Sequence, residues 1–268
     1  MIQASSTMSA SELLQATATP ALFARLASQG RWRTARHLLA MDRAITETIV
    51  GRSPKVLLIE APPRHGKSEL VSKYLPAWFL GTFPDRRVML TSYEAGFARS
   101  WGRRVQEVFE RWGPRYFGVR LNRRVRAASE WTIEGHEGGM FTAGVGGPLT
   151  GKGADLLIID DPVKNSQTGL SETLREGQWD WWQSTASTRL EPGGTVILIG
   201  TRWHEYDLAG RLLESEKNGG WPVRRLRLPA LAEVPDALGR AEGEALWPER
   251  WPRSVLEERA RASDPYWW

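Results

Sequence analysis

An apolar segment runs directly into a basic, glycine-containing loop between residues 56 and 68. Val56–Ile59 has the composition of a buried strand, Ala61–Ser68 reads APPRHGKS, and a helical pattern follows at once. This order of strand, loop and helix is the setting of a phosphate-binding loop. The first glycine of the usual pattern is replaced by Ala61, and an ordinary surface turn is the alternative interpretation.

The residue types in this loop suit a triphosphate. Gly66 lets the backbone wrap closely round a phosphate, and the amides at the start of the helix offer N–H donors to the anion. Lys67 can reach the β- and γ-phosphates, and the Ser68 hydroxyl can ligate Mg²⁺. The loop therefore predicts a nucleoside triphosphate and Mg²⁺ as cofactors. The loop residues predicted to contact the nucleotide are Pro63, Arg64, His65, Gly66, Lys67, Ser68 and Glu69.

The composition is that of a globular chain with one sizeable core. The 268 residues are 41% hydrophobic and 25% charged, and no stretch approaches the roughly 18 apolar residues of a membrane span. No membrane partner is therefore expected. The absence of cysteine excludes disulfides and thiolate metal sites, and it fits a reducing compartment.

Positive charge is concentrated in one window. Residues 99–126 hold nine arginines and two acids, a net charge of +7, whereas the whole chain carries +5 and the rest therefore −2. Such a patch suits a polyanion, either DNA or RNA. A solvated helix face, together with the general use of arginine in place of lysine (thirty against six), is the alternative. The candidates for contacts with DNA are Arg103, Arg104, Arg123 and Arg124.

Strands and helices alternate along most of the chain. Apolar runs predict strands at 88–92, 156–159, 195–199 and 223–228. Helical periodicity predicts helices at 21–50, 97–112, 171–187, 206–216 and 254–261. Short alternating segments broken by glycines over 119–146 predict antiparallel strands. The pattern predicts an α/β protein with a central, mostly parallel sheet flanked by helices and with antiparallel additions.

A second motif follows about ninety residues after the loop. The apolar run Leu156–Ile159 ends in Asp160 and Asp161, the arrangement called Walker B. Asp160 is predicted to hold Mg²⁺, directly or through water, and Asp161 to orient or deprotonate the attacking water. Adjacent residues of a strand point to opposite sides, so the two carboxylates can take different roles. Taken alone, the pair could equally form a turn or cap a helix.

A third motif ends the strand at 195–199 with Gly200, Thr201 and Arg202. It places a hydroxyl and a guanidinium beside the predicted phosphate site. Thr201 or Arg202 could therefore respond to the γ-phosphate and pass the change to the next helix. The alternative is an ordinary turn between strand and helix.

Three blocks together resemble the large terminase subunit of tailed bacteriophages. They are 61–69 (APPRHGKSE), 149–162 (LTGKGADLLIIDDP) and 200–204 (GTRWH), in the order and spacing of that family. The resemblance runs from about residue 35 to the end of the chain. It implies a phosphate-loop NTPase fold of the additional-strand, catalytic-glutamate (ASCE) class. It also implies an ATPase that drives double-stranded viral DNA into a procapsid.

The resemblance assigns roles by residue type. Lys67 and Ser68 match the lysine and hydroxyl of the family's Walker A motif. Asp160 matches its Walker B aspartate, and the pair Gly200-Thr201 matches its coupling motif.

Three positions depart from the family pattern. The carboxylate after the Walker B aspartate is commonly Glu, whereas here it is Asp161, and Glu172 is the alternative base. Relatives with a Walker A arginine often carry it one position earlier than Arg64, which is the candidate here for contact with the γ-phosphate. Some relatives have an arginine finger just before the Walker B strand. Lys152 is the basic residue in that stretch, and it could supply charge to a neighbouring subunit without the bidentate fork of arginine.

The resemblance also implies a nucleotide contact, partners and a location. Arg36 and His37 lie where relatives place the segment that contacts adenine, although an ordinary amphipathic helix fits them as well. The implied partners are double-stranded DNA, the portal protein, the small terminase subunit and further copies of the chain in a ring, a pentamer on the portal. The implied location is the cytoplasm of the infected bacterial host, transiently at the portal vertex of the procapsid.

The chain is expected to divide into a flexible segment 1–20, an ATPase core 21–220 and a C-terminal subdomain or linker 221–268. Residues 1–20 are polar and rich in Ser, Thr and Ala, without the features of a secretion signal. After Thr201 no strand ends in the spaced carboxylates of a two-metal nuclease, and the apolar end Pro265–Trp268 reads as a truncation before the family's nuclease domain. No endonuclease activity is therefore expected.

Two other classes of function fit parts of the sequence. A phosphotransferase could use the same loop to pass the γ-phosphate to a small acceptor, with the glycine-broken insert at 134–153 as a lid. A nucleotide-dependent switch or scaffold would bind without turnover, but it would not need a carboxylate to activate water. Stimulation of hydrolysis by DNA would support the DNA-packaging ATPase. Dependence on a small acceptor would support the phosphotransferase, and negligible turnover would support the switch.

Overall fold

The computed structural model describes residues 10–51, 55–149 and 151–262. Its strands are β1 (Val56–Glu60), β2 (Arg87–Ser92), β3 (Leu121–Ala127), β4 (Glu130–Ile133), β5 (Gly139–Gly144), β6 (Ala154–Asp160), β7 (Leu190–Gly200) and β8 (Val223–Arg227). They form one eight-stranded sheet in the order β3-β4-β5-β2-β6-β7-β1-β8.

The sheet is parallel from β5 to β8, and β3 and β4 add an antiparallel edge. This confirms the predicted α/β class with antiparallel additions. One detail was wrong. The segment 119–146 was expected to be antiparallel throughout, but β5 runs parallel to β2, with Arg87 opposite Gly139. Because β4 reverses the chain direction, β5 returns in the direction of the central strands.

Helices cover the sheet. They are α1 (Ala10–Ala18), α2 (Pro20–Ala27), α3 (Arg36–Val50), α4 (Leu75–Thr82), α5 (Ala95–Tyr116), α6 (Ser166–Leu170), α7 (Glu172–Trp181), α8 (Leu208–Lys217) and α9 (Arg253–Ala262). A wider, π-type helical segment, Glu69–Tyr74, leads into α4, and a second one, Trp182–Ala186, follows α7. Among the helices of the described ranges, none has the length and apolar character to cross a bilayer.

The two faces of the sheet bury different apolar clusters. In β1, Leu57 and Ile59 belong to one cluster, whereas Val56 and Leu58 belong to the other. Side chains of a strand alternate between faces, so a strand covered on both sides must be apolar at every position. This is why the central strands could be recognised as continuous apolar runs.

The N-terminal part differs from the sequence prediction in two ways. Residues 1–20 were expected to be flexible, but α1 is a helix, and Trp78 Nε1 donates to the Thr17 carbonyl at 2.8 Å. Residues 1–9 lie outside the described part of the chain. The single helix predicted at 21–50 is two helices, because Gln29 and Gly30 take positive φ angles of 57° and 78° after α2 ends.

The chain after α8 returns to the sheet and then crosses towards the phosphate-binding loop. β8 pairs with β1 over five residues, Val223 to Arg227, although the predicted boundary at residue 221 would separate it from the core. The segment 228–251 then folds around a buried ion pair. Arg240 Nη2 lies 2.7 Å from Asp236 Oδ1, with side chains 2% and 0% exposed. The predicted end segment at 265–268 lies outside the described residues.

We expect the substitution Asp236→Ala to lower the free energy of unfolding by about 3–5 kcal/mol, because it leaves the Arg240 charge buried without its partner. The measurement is urea unfolding followed by circular dichroism. Glu257→Ala is the matched control, since it breaks the exposed pair with Arg253 and should cost less than about 1 kcal/mol. Equal losses in the two variants would contradict this account of the segment.

Candidate functional site

The loop 61–68 leaves the carboxyl end of β1 and enters a helix through a conformation that few side chains tolerate. Arg64 and Gly66 have positive φ angles of 65° and 82°, a region that glycine enters without strain. The Leu70 amide donates to the Gly66 carbonyl at 3.1 Å, so the helix begins directly after the loop. The amides of the loop and of this helix start are therefore concentrated at one point, as an anion site requires.

The parallel sheet brings the ends of β1 and β6 close together across β7. Ser68 Oγ donates to Asp160 Oδ1 at 3.0 Å, and Lys67 Nζ lies 3.4 Å from Asp161 Oδ2. The structure thus brings together the lysine, the hydroxyl and both acids that the first two motifs predicted.

Asp160 is fully buried. Burial, and then the neighbouring Asp161 carboxylate, raises the pKa of Asp160, because both disfavour the charged form. Each of its oxygens accepts a hydrogen bond: Oδ1 from Ser68, and Oδ2 from Ser72 Oγ at 2.7 Å. Ser72 is missing from the sequence-based prediction. The signal that could have found it is its spacing of four residues from Ser68, which places both on one helix face.

Asp161 follows the last residue of β6 in a left-handed conformation, with φ 43° and a side chain that is 32% exposed. Its amide donates to the Ile199 carbonyl of β7 at 2.9 Å. A Cβ atom at position 200 would lie 3.2 Å from Asp161 Oδ1. Gly200 of the third motif therefore leaves the space in which this carboxylate sits.

A cleft of about 1650 Å³ opens beside the loop. Its lining includes Arg64, Lys67, Ser68 and Asp161 on one side and the segment 244–250 on another. The cleft therefore lies at the carboxyl ends of the strands, where the loop meets residues 228–251, called the C-terminal segment below. Its size suits a ligand larger than a phosphate alone.

The predicted nucleotide contacts Arg36 and His37 separate in the structure. Arg36 lines the cleft and donates from Nη2 to the Leu238 carbonyl at 3.2 Å. His37 is fully buried, and its Nε2 lies 2.8 Å from the His65 carbonyl of the loop. His37 thus supports the loop from behind instead of facing the cleft.

His65 is also turned away from the cleft, whereas Pro63 and Glu69 line it. The His65 side chain is 3% exposed and stacks on Trp251 with ring centres 6.2 Å apart. Burial lowers the pKa of His65 to about 4, and the nearby positive charges of His37, Arg250 and Lys67 act in the same direction. The C-terminal segment therefore packs directly on the loop.

Arg202 is held in place by carboxylates. Its Nη1 donates to Glu60 Oε1 at 2.9 Å, and its Nε donates to Asp207 Oδ2 at 2.9 Å. The guanidinium is therefore already engaged by two carboxylates, and its response to a γ-phosphate stays a prediction. Thr201 is half-buried just after β7 and does not line the cleft.

Two further sequence candidates lie apart from the cleft. Lys152 Nζ pairs with Glu130 Oε1 of the same chain at 2.5 Å. Glu172, the alternative base, is exposed at the start of α7 and does not line the cleft. Of the two acids considered, Asp161 is the one beside Lys67.

The arginine-rich window forms two different surfaces. Arg104 lines the cleft and lies over the Trp101 ring, 4.6 Å from its centre. Arg123 and Arg124 are exposed on β3, at the edge of the sheet. Arg103 is exposed on the part of α5 whose Gln106 donates to the Arg126 carbonyl at 2.8 Å, beside β3.

The donors at the end of β6 fit Mg²⁺. Ser68 Oγ and the Asp160 carboxylate are hard oxygen ligands, and Mg²⁺ is usually held by one or two such groups plus phosphates and water. Within the described ranges, no group of three or more His, Asp or Glu side chains could hold a metal by itself.

The fold and the site define a phosphate-loop NTPase of the α/β class. The model of the protein family described as "Terminase large subunit, T4likevirus-type, N-terminal" matches residues 58–265. The chain belongs to this family, since the match covers well over half of its length.

Solved structures agree on the fold. The HK97 bacteriophage large terminase superposes with a TM-score of 0.57 at 12% identity, covering 93% of this chain and 52% of that one. The large terminase ATPase domain of Thermus phage P74-26 superposes with a TM-score of 0.55 at 16% identity, covering 89% and 91%. The chain thus spans about half the length of the HK97 protein. A search among curated proteins found no match.

We expect the buried His65 to make stability depend on pH. Its pKa is about 4 in the folded protein and about 6.5 when unfolded. Between these two pH values the unfolded chain therefore binds more protons than the folded protein. The contribution of His65 to stability is complete above pH 6.5 and is lost as the pH falls towards 4. The loss should be on the order of 2–3 kcal/mol.

The measurement is urea unfolding at a series of pH values for wild type and His65→Gln. The variant keeps His37 and every carboxylate, so the difference between the two curves reports the contribution of His65 together with its coupling to His37. Curves that stay parallel from pH 7 to pH 4 would contradict the expectation.

Proposed function

We propose that this chain hydrolyses ATP and that hydrolysis drives double-stranded DNA into a viral procapsid. The observation that carries the proposal is the contact between the loop and the two acids. Lys67 faces Asp161, and Ser68 is bonded to Asp160, at one corner of a large cleft. A binding site alone would not need the second, solvent-accessible carboxylate.

The four residues take separate roles in the proposal. Lys67 and the loop amides bind the β- and γ-phosphates, and Ser68 and Asp160 hold Mg²⁺. The metal ion would neutralise charge on the phosphates when it is bound. Asp161 is partly exposed and next to Lys67, so it can orient the attacking water and accept its proton.

The nucleoside would lie in the cleft beyond the loop. Arg36 lines this part and is tied to the C-terminal segment through the Leu238 carbonyl. Arg64 also lines the cleft, which supports the proposal that its guanidinium contacts the γ-phosphate. Thr201 follows Gly200, which packs on Asp161, so a shift of Asp161 during the cycle would reach Thr201 directly.

We propose that DNA is gripped at the edge of the sheet. Arg126 is neutralised by Glu110 at 2.8 Å. In the described part of the chain, the side chains of Arg103, Arg123 and Arg124 form no ion pair. Unpaired guanidinium groups on an open surface suit phosphates and would bind them without regard to sequence. Arg104 faces the cleft and is better placed for the nucleotide.

The assembly belongs to the proposal as well. We propose a ring of copies, pentameric on the portal, that works with the portal protein and the small terminase subunit in the cytoplasm of an infected bacterium. Lys152 would supply positive charge to the nucleotide of the neighbouring copy. To do so it would first have to leave Glu130.

We expect Lys67→Ala to abolish ATP hydrolysis, because Lys67 is the residue of the loop that reaches the β- and γ-phosphates. Asp161→Asn should retain ATP binding but lower the turnover number by at least about a hundredfold, the usual contribution of a general base. The measurements are phosphate release and calorimetric ATP binding, with thermal unfolding to verify the fold.

Lys217→Ala is the matched control, since it removes an exposed lysine that pairs with Glu214 on α8. It should leave both quantities unchanged. Normal turnover in Asp161→Asn would show that another residue acts as the general base. Normal turnover in Lys67→Ala would contradict the proposed site.

We expect the double substitution Arg123→Ala/Arg124→Ala to weaken DNA binding and to reduce its salt dependence. Each lost phosphate contact should lower the slope of log K against log salt by about 0.9. The loss should be the same for unrelated DNA sequences. The measurement is fluorescence anisotropy with labelled duplexes over a range of salt concentrations.

Arg261→Ala is the control, because it removes a positive charge (one, against two in the double variant) at an exposed position of α9. It should leave the slope unchanged. Equal slopes for wild type and the double variant would place the DNA-binding surface elsewhere.

A further inference from the structure

Ser72 forms a hydrogen bond with Asp160, the acid at the centre of the site, although none of the three sequence motifs includes Ser72. Its hydroxyl donates to Asp160 Oδ2 at 2.7 Å, and the Ser68 hydroxyl donates to Oδ1 of the same carboxylate at 3.0 Å. Both Ser72 and Asp160 are 0% exposed. This hydrogen bond joins the helix after the loop to the end of β6 without any contribution from solvent.

The helix has an unusual shape at this position. Ser72 lies in the π-type segment Glu69–Tyr74, where the Leu75 amide donates to the Leu70 carbonyl five residues earlier. Such segments are rare, and they occur frequently at functional sites. The irregularity lies between the phosphate-binding loop and α4, and it contains the residue that contacts Asp160.

A bound nucleotide would affect the hydrogen bonds of the two serine hydroxyls differently. The oxygen of Ser68 is needed as a Mg²⁺ ligand, so its present bond to Asp160 belongs to the site without nucleotide. Ser72 lies on the other oxygen of the carboxylate. It can therefore continue to hold Asp160 while Oδ1 turns to the metal or to a metal-bound water.

We propose that Ser72 is a positioning residue for Mg²⁺ binding. By holding Oδ2, it keeps Oδ1 of Asp160 directed at Ser68. The inference rests on the proposed ATPase function, because the Mg²⁺ concerned is the one that accompanies ATP.

A merely structural serine would behave differently. Loss of a buried hydroxyl lowers stability wherever it occurs, so a lower melting temperature alone does not distinguish the two roles. A positioning role changes the concentration of Mg²⁺ that the protein needs. A structural role leaves that concentration unchanged.

The experiment compares wild type with Ser72→Ala and Ser72→Cys. Alanine removes the donor, whereas cysteine retains a weak donor at nearly the same volume. Thr48→Val is the matched control, because Thr48 is 1% exposed and its hydroxyl donates to the Ala44 carbonyl at 2.7 Å inside α3. ATP binding is measured by calorimetry in EDTA and over a Mg²⁺ series, and melting temperature is measured in parallel.

In EDTA, Ser72→Ala should bind ATP within about twofold of wild type, because the loop amides and Lys67 are intact. The Mg²⁺ concentration that gives half of the maximal gain in ATP affinity should rise about tenfold, as expected for one lost hydrogen bond to a charged group. Ser72→Cys should show a smaller rise in the same direction, and Thr48→Val none. If Ser72→Ala does not fold, Ser72→Cys decides the question alone.

An unchanged Mg²⁺ requirement in the folded Ser72 variants would overturn this inference and leave the proposed ATPase function intact. Absence of Mg²⁺-dependent ATP binding in wild type would instead overturn the proposed function. An equal rise in Thr48→Val would also overturn the inference, since the effect would then follow from any lost buried hydroxyl.

Discussion

The buried carboxylate of Asp160 is the constraint on which the rest of the site depends. A buried carboxyl group needs hydrogen-bond partners, and the two hydroxyls that donate to Asp160 come from one helix, through Ser68 and Ser72. That helix can reach the acid only because β1 and β6 are parallel and are separated by the single strand β7. The order of the strands, the conformation of the loop and the shape of the helix therefore together determine which groups surround the Asp160 carboxyl group.

The loop is supported on its other sides by contacts from distant parts of the chain. Glu60, at the end of β1, accepts from Arg202 at 2.9 Å and from Arg225 Nε at 2.9 Å. These bonds tie β1 to the segment after β7 and to β8. On the opposite side His37 bonds to the loop backbone. A loop fixed at both ends loses little freedom when an anion binds, which favours affinity.

The C-terminal segment gives the cleft its outer wall. Trp251 Nε1 donates to the Arg64 carbonyl at 3.4 Å, and Trp247 lies against His37 with ring centres 5.2 Å apart. A change in the loop on nucleotide binding would therefore be transmitted directly to the start of α9. The buried pair of Arg240 and Asp236 keeps this wall folded. Several of the chain's tryptophans thus have a packing role.

Local chemistry in the sequence determined the central strands, the phosphate-binding loop and the two acids after β6. A buried parallel strand must be apolar throughout, and a phosphate site needs glycine, lysine and hydroxyl at set spacings, so both leave a local pattern. Tertiary structure alone decided that Ser72 bonds to Asp160, that His37 supports the loop and that Arg202 is occupied by Glu60. It also placed the segment 244–250 beside the cleft. Those contacts join residues far apart in the chain, and they exist only once the order of strands in the sheet has made the residues neighbours.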